Sequence, residues 1–203
     1  MRPPARAAHV AALATAVLFL GACQGEDTAA PTAASPAAPA VPESAKVGGA
    51  SSPCALPVTF GVAEDWKAKA VEQDEGDEVF EAFAKRGPMT MVCEIDAKPA
   101  GLIGFLRVWT GKGGDARENL TAFIGKRALK PVFTEAQIGG RPGLEVVYEQ
   151  KSQLDDEIEP ERAFVVDTGQ GLVAVSLDSF DSSEYEDMLP AYDLAKSSLT
   201  VNG

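Results

Sequence analysis

Residues 161–180 read ERAFVVDTGQGLVAVSLDSF, and the fold can be built outward from this stretch. Two runs rich in β-branched and aromatic residues flank the turn signal Asp167-Thr168-Gly169-Gln170-Gly171. Such runs on either side of a glycine-containing turn predict a β-hairpin. The stretch therefore predicts two neighbouring antiparallel strands.

Six further segments share this composition and partly alternate between apolar and polar residues. They are LPVTFGV (56–62), WKAKAVE (66–72), MTMVCEID (89–96), LIGFLRVWT (102–110), VFTEAQI (132–138) and GLEVVYEQ (143–150). The last two are joined by the turn signal GGRPG at 139–143, which predicts a second hairpin. Strands connected mostly as hairpins pair in antiparallel order.

Helical periodicity appears first after Asp115, which has the position of an N-cap residue with Glu118 three residues later, as in a capping box. The apolar stripe that follows predicts a helix that Pro131 ends. The stripe consists of Ala116, Leu120, Phe123, Ile124 and Ala128.

Two other helices are predicted. The last begins near Ser183 and is expected to kink, or to follow a short turn, at Pro190; its stripe is Tyr185, Met188, Leu189, Tyr192, Ala195 and Leu199. A shorter helix over 77–87 places Val79, Phe80 and Phe83 inward. The class is α+β, a mainly antiparallel sheet with helices packed on it.

This order of elements resembles the PsbP-like α/β/α sandwich of actinobacterial lipoproteins of the LpqN and LpqT type. The resemblance is carried by Phe60 and Trp66 after the opening strand, by residues 140–143 (GRPG) before a strand, and by the closing helix. It implies an adaptor domain of a cell-envelope lipoprotein that binds a partner protein or an envelope component and performs no chemistry.

The N-terminal segment predicts where the protein resides. Arg2 and Arg6 precede the apolar stretch 10–20, which is shorter than the roughly 20 residues that span a bilayer. Small residues then lead to Cys23, so residues 20–23 (LGAC) resemble a bacterial lipobox.

Residues 1–22 are predicted to be a lipoprotein signal peptide, and Cys23 is predicted to carry diacylglycerol and further acyl chains such as palmitate. An ordinary secretion signal is the alternative. The predicted location is the outer face of the cytoplasmic membrane.

The rest of the chain is predicted to form a tether and one domain. Residues 23–53, rich in Ala, Pro and Ser, are predicted to be a disordered tether, because they lack the large apolar residues that build a core. Residues 54–203 are predicted to form a single globular domain.

Charge and histidine count exclude several functions. Loss of Arg2 and Arg6 with the signal peptide takes the net charge from −12 to −14, which disfavours nucleic acid as a partner. The same cleavage removes His9, the sole histidine, and with it every catalytic site that requires a histidine. No cofactor is predicted.

Two cysteines remain for a disulfide. Thiols outside the cytoplasmic membrane tend to oxidise, and with Cys23 acylated only Cys54 and Cys93 can pair. The expectation is a disulfide between them; two buried free thiols are the alternative.

Other candidate sites are weak. The acidic groups Asp74, Glu75, Asp77, Glu78 and Asp155, Asp156, Glu157, Glu159, Glu161 lack the spacing of an EF-hand, so no metal site is predicted. Residues 111–114 (GKGG) are interpreted as a strand-to-helix turn. Trp109 is expected in the core, with Phe105 and Arg107 on its face and Arg107 at the edge.

The sequence thus predicts a non-enzymatic, membrane-anchored binding or adaptor domain for an envelope protein or lipid. The alternatives are a carrier of a lipid or another hydrophobic ligand and, less favoured, an envelope hydrolase that uses carboxylates.

Overall fold

The computed structural model describes residues 40–72, 78–152 and 157–203. In the order of the chain, the strands and helices are β1 Glu43–Val47, β2 Val58–Ala63, β3 Lys67–Ala70, α1 Glu78–Ala84, β4 Lys85–Arg86, β5 Met89–Asp96, β6 Gly104–Gly111, α2 Ala116–Ile124, β7 Leu129–Ile138, β8 Arg141–Lys151, β9 Ile158–Asp167, β10 Leu172–Ser179, α3 Tyr185–Ser198 and β11 Thr200–Val201. All eight predicted strands are present. The predicted α+β class is confirmed.

The main sheet has eight strands, and every pairing in it is antiparallel. The strand order is β3-β5-β6-β10-β9-β8-β7, and the short β4 also pairs with β5. Both predicted hairpins, β7–β8 and β9–β10, form as expected. In the β7–β8 turn Gly139 has a positive φ of 57°, and a Cβ there would collide with the Leu199 carbonyl group, so only glycine fits.

A second, three-stranded sheet of order β1-β2-β11 corrects the predicted domain boundary. Residues 43–47 pair with β2, Val47 is fully buried, and the Ser44 hydroxyl donates to the Ala63 carbonyl at 3.2 Å. The prediction of a disordered tether is therefore wrong for this segment. Composition missed it because backbone pairing to β2 stabilises a strand that has few apolar side chains of its own.

The helices lie on opposite faces of the main sheet. On one face α3 and β2 cover an apolar core that includes Phe60, Phe164 and Tyr192. On the other face α2 covers a smaller core around Trp109 and Phe123. The result is a layered arrangement of helix, sheet and helix.

The ends of α1 and α2 differ from the predictions, and α1 ends at Ala84 rather than near residue 87. The N-cap of α2 is Asp115, whose carboxylate accepts from the Glu118 N–H at 2.8 Å, as predicted. The helix ends at Gly125, which has φ 70°, rather than at Pro131. Helix α3 contains Pro190 and is preceded by a turn at residues 182–184, which is one of the two outcomes predicted for this proline. Packing of its buried stripe outweighs the hydrogen bond that proline cannot donate.

The predicted disulfide is present. Cys54 and Cys93 are bonded, with their Cα atoms 5.9 Å apart, and both are buried in the core beneath α3. The bond ties the segment that joins β1 and β2 to strand β5 and so fixes the small sheet against the main sheet.

Candidate functional site

A cavity of about 530 Å³ opens on the face of the main sheet that carries α1 and α2. Its wall is formed by α1, β4, the end of α2 and the residues that follow it, and its floor by strands β6, β8, β9 and β10. The side chains that the argument uses are Phe83, Arg86, Arg107, Lys126, Arg127, Tyr148, Gln150, Glu161, Asp178 and Phe180.

The alternation of side chains along the strands produces this cavity. On one face of β10, Leu172 and Ala174 belong to the core under α2, and Ser176 and Asp178 continue the same row. On β6, Arg107 is opposite Ser176 in the register, so it extends the row across the sheet. The sheet face is thus apolar where α2 covers it and polar beyond the end of that helix.

Asp178 is the centre of the cavity floor. Its two carboxylate oxygens accept from two different arginines: Arg86 Nη2 lies 3.1 Å from Oδ1, and Arg107 Nη1 lies 3.3 Å from Oδ2. The Ser176 hydroxyl also donates to Oδ2, at 2.9 Å. Arg107 makes a second ion pair through Nε to Glu94 Oε1 at 2.9 Å. These paired charges make burial of Asp178 and Arg107 tolerable.

The neighbouring carboxyl, Glu161, has the opposite protonation preference. Burial, followed by the Asp178 carboxylate, raises the pKa of Glu161 well above its usual range. Burial opposes the charge of Asp178 as well, but Arg86 and Arg107 overcome it and lower the pKa of Asp178. Glu161 thus favours its protonated form, which can donate a hydrogen bond to the Asp178 carboxylate, whereas Asp178 favours its charged form.

Arg86 connects the floor to the aromatic core. Burial works against its charge, but Asp178 and Tyr148 outweigh burial and raise the pKa of Arg86 above its ordinary value. Its guanidinium carbon lies 5.1 Å from the centre of the Trp109 ring and 5.4 Å from that of Phe123. The charge of Arg86 is thus held between an ion pair and two aromatic rings.

Two exposed phenylalanines flank the mouth of the cavity. Phe83 is 53% exposed and Phe180 47% exposed. The Arg107 guanidinium carbon contacts both, at 5.1 Å from the Phe83 ring centre and 5.7 Å from that of Phe180. The prediction that Phe83 points inward is wrong, because α1 packs at the cavity rim and leaves this side chain outside the core.

Cationic side chains complete the rim. Lys126 and Arg127 directly follow the end of α2, and both are exposed. Neither has a carboxylate partner within the part of the chain that the structure describes. Lys85, in contrast, pairs with Glu81. This rim is a local basic surface on a chain of net charge −12.

The cavity contains residues that the sequence did not single out together. Trp109 is buried as predicted, and its indole N–H donates to the Ser176 hydroxyl at 3.0 Å. Arg107, predicted at an edge, is only 6% exposed, because Asp178 and Glu94 compensate its burial. The sequence does contain polar residues at positions in otherwise apolar strands, such as Arg107 and Asp178. Only the register of the sheet shows that these side chains lie next to one another.

The other predicted site residues lie elsewhere. Cys23 falls outside the described residues, so its acylation stays a prediction. The same applies to Asp74, Glu75, Asp77, Asp155 and Asp156. Within the described part of the chain, no group of three or more histidine, cysteine or acidic side chains is arranged to hold a metal ion. None of the helices described there is long and apolar enough to cross a bilayer.

The chain belongs to a family of lipoproteins and has an α+β fold. The fold and the cavity define an α+β domain with a polar pocket on one face of an antiparallel sheet. Residues 24–199 match the model of a family described as uncharacterised lipoprotein, and the chain belongs to that family. No curated protein matches the chain.

Two solved structures are similar to this chain at 14% sequence identity. One is the solution structure of cyanobacterial PsbP from Synechocystis sp. PCC 6803, with a TM-score of 0.46 over 72% of this chain and 87% of the other. The second is LpqN of Mycobacterium tuberculosis, described as involved in cell envelope biogenesis, with a TM-score of 0.39 over 76% of this chain and 88% of the other.

Proposed function

We propose that this protein is a lipid-anchored binding domain on the outer face of the cytoplasmic membrane of an actinobacterium. Acylated Cys23 would hold it to the lipid, and the cavity beside α1 and α2 would bind an envelope component without chemistry. Support for the anchor comes from membership of a lipoprotein family and from the lipobox-like residues 20–23. More than one acyl chain is needed for stable anchoring, and the lipobox reaction supplies more than one.

The arrangement of the cavity floor carries the binding proposal. The Asp178 carboxylate is engaged by Arg86, Arg107 and Ser176, which leaves it unsuited to act as a nucleophile or base. Glu161 contacts Asp178 directly, whereas the two carboxyl groups of a glycosidase stand about 5 Å or more apart with substrate between them. The Asp178 carboxylate and the Arg86 and Arg107 guanidinium groups stabilise one another, so we favour binding over hydrolysis.

The floor also argues against the alternative of a lipid carrier. An acyl chain placed there would cover Arg86, Glu161 and Asp178 with hydrocarbon and remove any water that hydrates them, at a cost of several kcal/mol, about 2 or more for each polar group. The two most exposed apolar side chains of the lining, Phe83 and Phe180, lie at the mouth and not on the charged floor. A ligand that is polar inside the cavity and contacts aromatic rings at its mouth fits better.

Two independent measurements test the proposal. The full chain and its Cys23→Ala variant, each with a C-terminal tag, are expressed in an actinobacterial host and fractionated. We expect the variant to leave the membrane fraction or to remain unprocessed. A processed variant that stays membrane-bound would refute acylation at Cys23.

The binding role is tested by a photoreactive phenylalanine analogue at position 180 of the acylated full chain in intact cells. We expect an adduct with one defined envelope component, identified by mass spectrometry. The matched control carries the analogue at Val132, which is also exposed but does not line the cavity. Equal labelling at both positions, or turnover of an envelope substrate that Glu161→Gln abolishes, would contradict the proposal.

A further inference from the structure

We propose that the cavity binds a phosphorylated polyol, which is a polyhydroxylated ring that bears a phosphate ester. This inference names the ligand class for the binding site proposed above and therefore rests on that function. It is carried by three features of the cavity: its paired donors and acceptors, its cationic rim and its two exposed aromatic rings.

The polar floor suits hydroxyl groups. Arg86 and Gln150 supply donors, and Tyr148 supplies a phenol group. Glu161 Oε2 is buried and has no hydrogen-bond donor among the described residues. A hydroxyl group donates and accepts at once, so adjacent hydroxyls of one ring satisfy both kinds of group. An apolar ligand would leave them unsatisfied.

The rim suits a phosphate ester. Such a group carries about −1.5 to −2 charges at pH 7 and is best bound by more than one cation. Lys126 and Arg127 are consecutive, exposed and without a carboxylate partner in the described chain. Arginine also binds phosphate oxygens in bidentate fashion. A neutral polyol would make no use of this pair.

The mouth suits the carbon framework of the ring. The Phe83 and Phe180 rings both lie within 5.7 Å of the Arg107 guanidinium carbon, and about half of each side chain is exposed. The negative face of an aromatic ring attracts the positively polarised C–H groups of a polyol. The volume of about 530 Å³ accommodates one such ring with its phosphate, since small-ligand pockets measure about 300–1,000 Å³.

The test is calorimetric titration of the acylated full-length protein in a sugar-free zwitterionic detergent. The probes are myo-inositol 1-phosphate, myo-inositol and inorganic phosphate. We expect the phosphate ester to bind at least tenfold more tightly than either of the other two. No binding of the ester, or equal binding of inorganic phosphate, would overturn the proposal.

Variants assign the binding to the cavity. Lys126→Ala with Arg127→Ala should weaken the ester at least tenfold, while the control Lys98→Ala with Arg141→Ala removes two exposed cations that do not line the cavity and should leave affinity unchanged. Phe180→Ala should weaken binding about threefold to tenfold, since an aromatic contact contributes about 0.5–1.5 kcal/mol, and Val132→Ala should not. Equal effects of test and control variants would refute the site.

One further comparison distinguishes a lipid head group from a soluble ester as the source of the ligand. A second distinguishes failure of the proposed ligand class from failure of the proposed binding function. Mixed micelles with phosphatidylinositol compete with the soluble ester if the natural ligand is a lipid head group, and phosphatidylcholine micelles do not. Absence of competition points to a soluble ester; either result keeps the ligand class. If the photoreactive probe at position 180 captures an envelope component but the ester does not bind, the ligand class is wrong and the binding function stands.

Discussion

The two faces of the eight-stranded sheet bury side chains of opposite character. The face under α3 and β2 holds a continuous apolar core that encloses the disulfide. The face under α2 is apolar only near Trp109 and then gives way to Arg107, Glu161 and Asp178. Both faces use the same strands, so the difference arises in alternate residues of each strand.

This contrast separates stability from recognition. The α3 face is covered by its helix and the small sheet, and its core side chains and the disulfide are buried. The α2 face is covered by a helix of only nine residues, which leaves the polar rows open at its end. Substitutions on the α3 face should therefore lower stability, whereas substitutions on the cavity face should also change ligand binding.

The largest effect is expected from Asp178→Asn on the cavity face. The change leaves Arg86 and Arg107 without their shared carboxylate, and an uncompensated buried charge costs about 3–5 kcal/mol. Urea unfolding measures the loss. Asp187→Asn on the exposed surface of α3 serves as control and should cost less than about 0.5 kcal/mol. A loss below 1 kcal/mol for Asp178→Asn would mean that water compensates the arginines.

On the α3 face, replacement of Cys54 and Cys93 by alanine should lower the free energy of unfolding by about 2–4 kcal/mol. The bond closes a loop with a sequence separation of 39 residues, and opening it restores that freedom to the unfolded chain. The measurement is urea unfolding of the oxidised protein and the variant. Unchanged stability would show that packing alone fixes the small sheet.

A smaller effect is expected where α2 begins. Asp115→Ala removes the cap on the Glu118 N–H and should cost about 1 kcal/mol. Because the end of α2 forms part of the cavity wall, the variant should also weaken ligand binding. A substitution in α3 that lowers the free energy of unfolding by the same amount should not. Glu118→Ala retains the cap and is the control; an equal loss for both variants would assign the effect to charge at the helix end.

The last prediction concerns the sign of a pH dependence. Burial and Asp178 raise the pKa of Glu161, so its contribution to stability is fully present below the unfolded pKa near 4.5 and is lost as pH rises through the folded pKa. Glu161→Gln cannot ionise, so its stability relative to the wild-type protein should increase as pH rises above about 4.5. Thermal unfolding from pH 4 to 8 measures this difference. A constant difference would show that Glu161 ionises freely in the native state.

Much of the fold could be predicted because it depends on local pattern. The hairpin of residues 161–180 follows from two β-rich runs around a glycine turn, and the start of α2 from Asp115. Strand β1 escaped prediction because its stability comes from hydrogen bonds to β2 rather than from its own side chains. The exposure of Phe83 was also not predicted. Helical periodicity shows which side chains share a face of a helix, but not whether another element covers that face.

The sequence by itself determined the eight predicted strands, the two hairpin turns and the cap of α2, and it left Cys54 and Cys93 as the pair available for a disulfide. The strands, turns and cap depend on residues that are neighbours in the sequence, and the disulfide was expected from the number of cysteines. The cavity was decided by the tertiary structure alone. Arg86, Arg107, Glu161 and Asp178 lie on four different strands, and only the register of the sheet brings them together. The charges of Arg86, Arg107 and Asp178 are stable in that place because they compensate one another, and no residue carries this information alone.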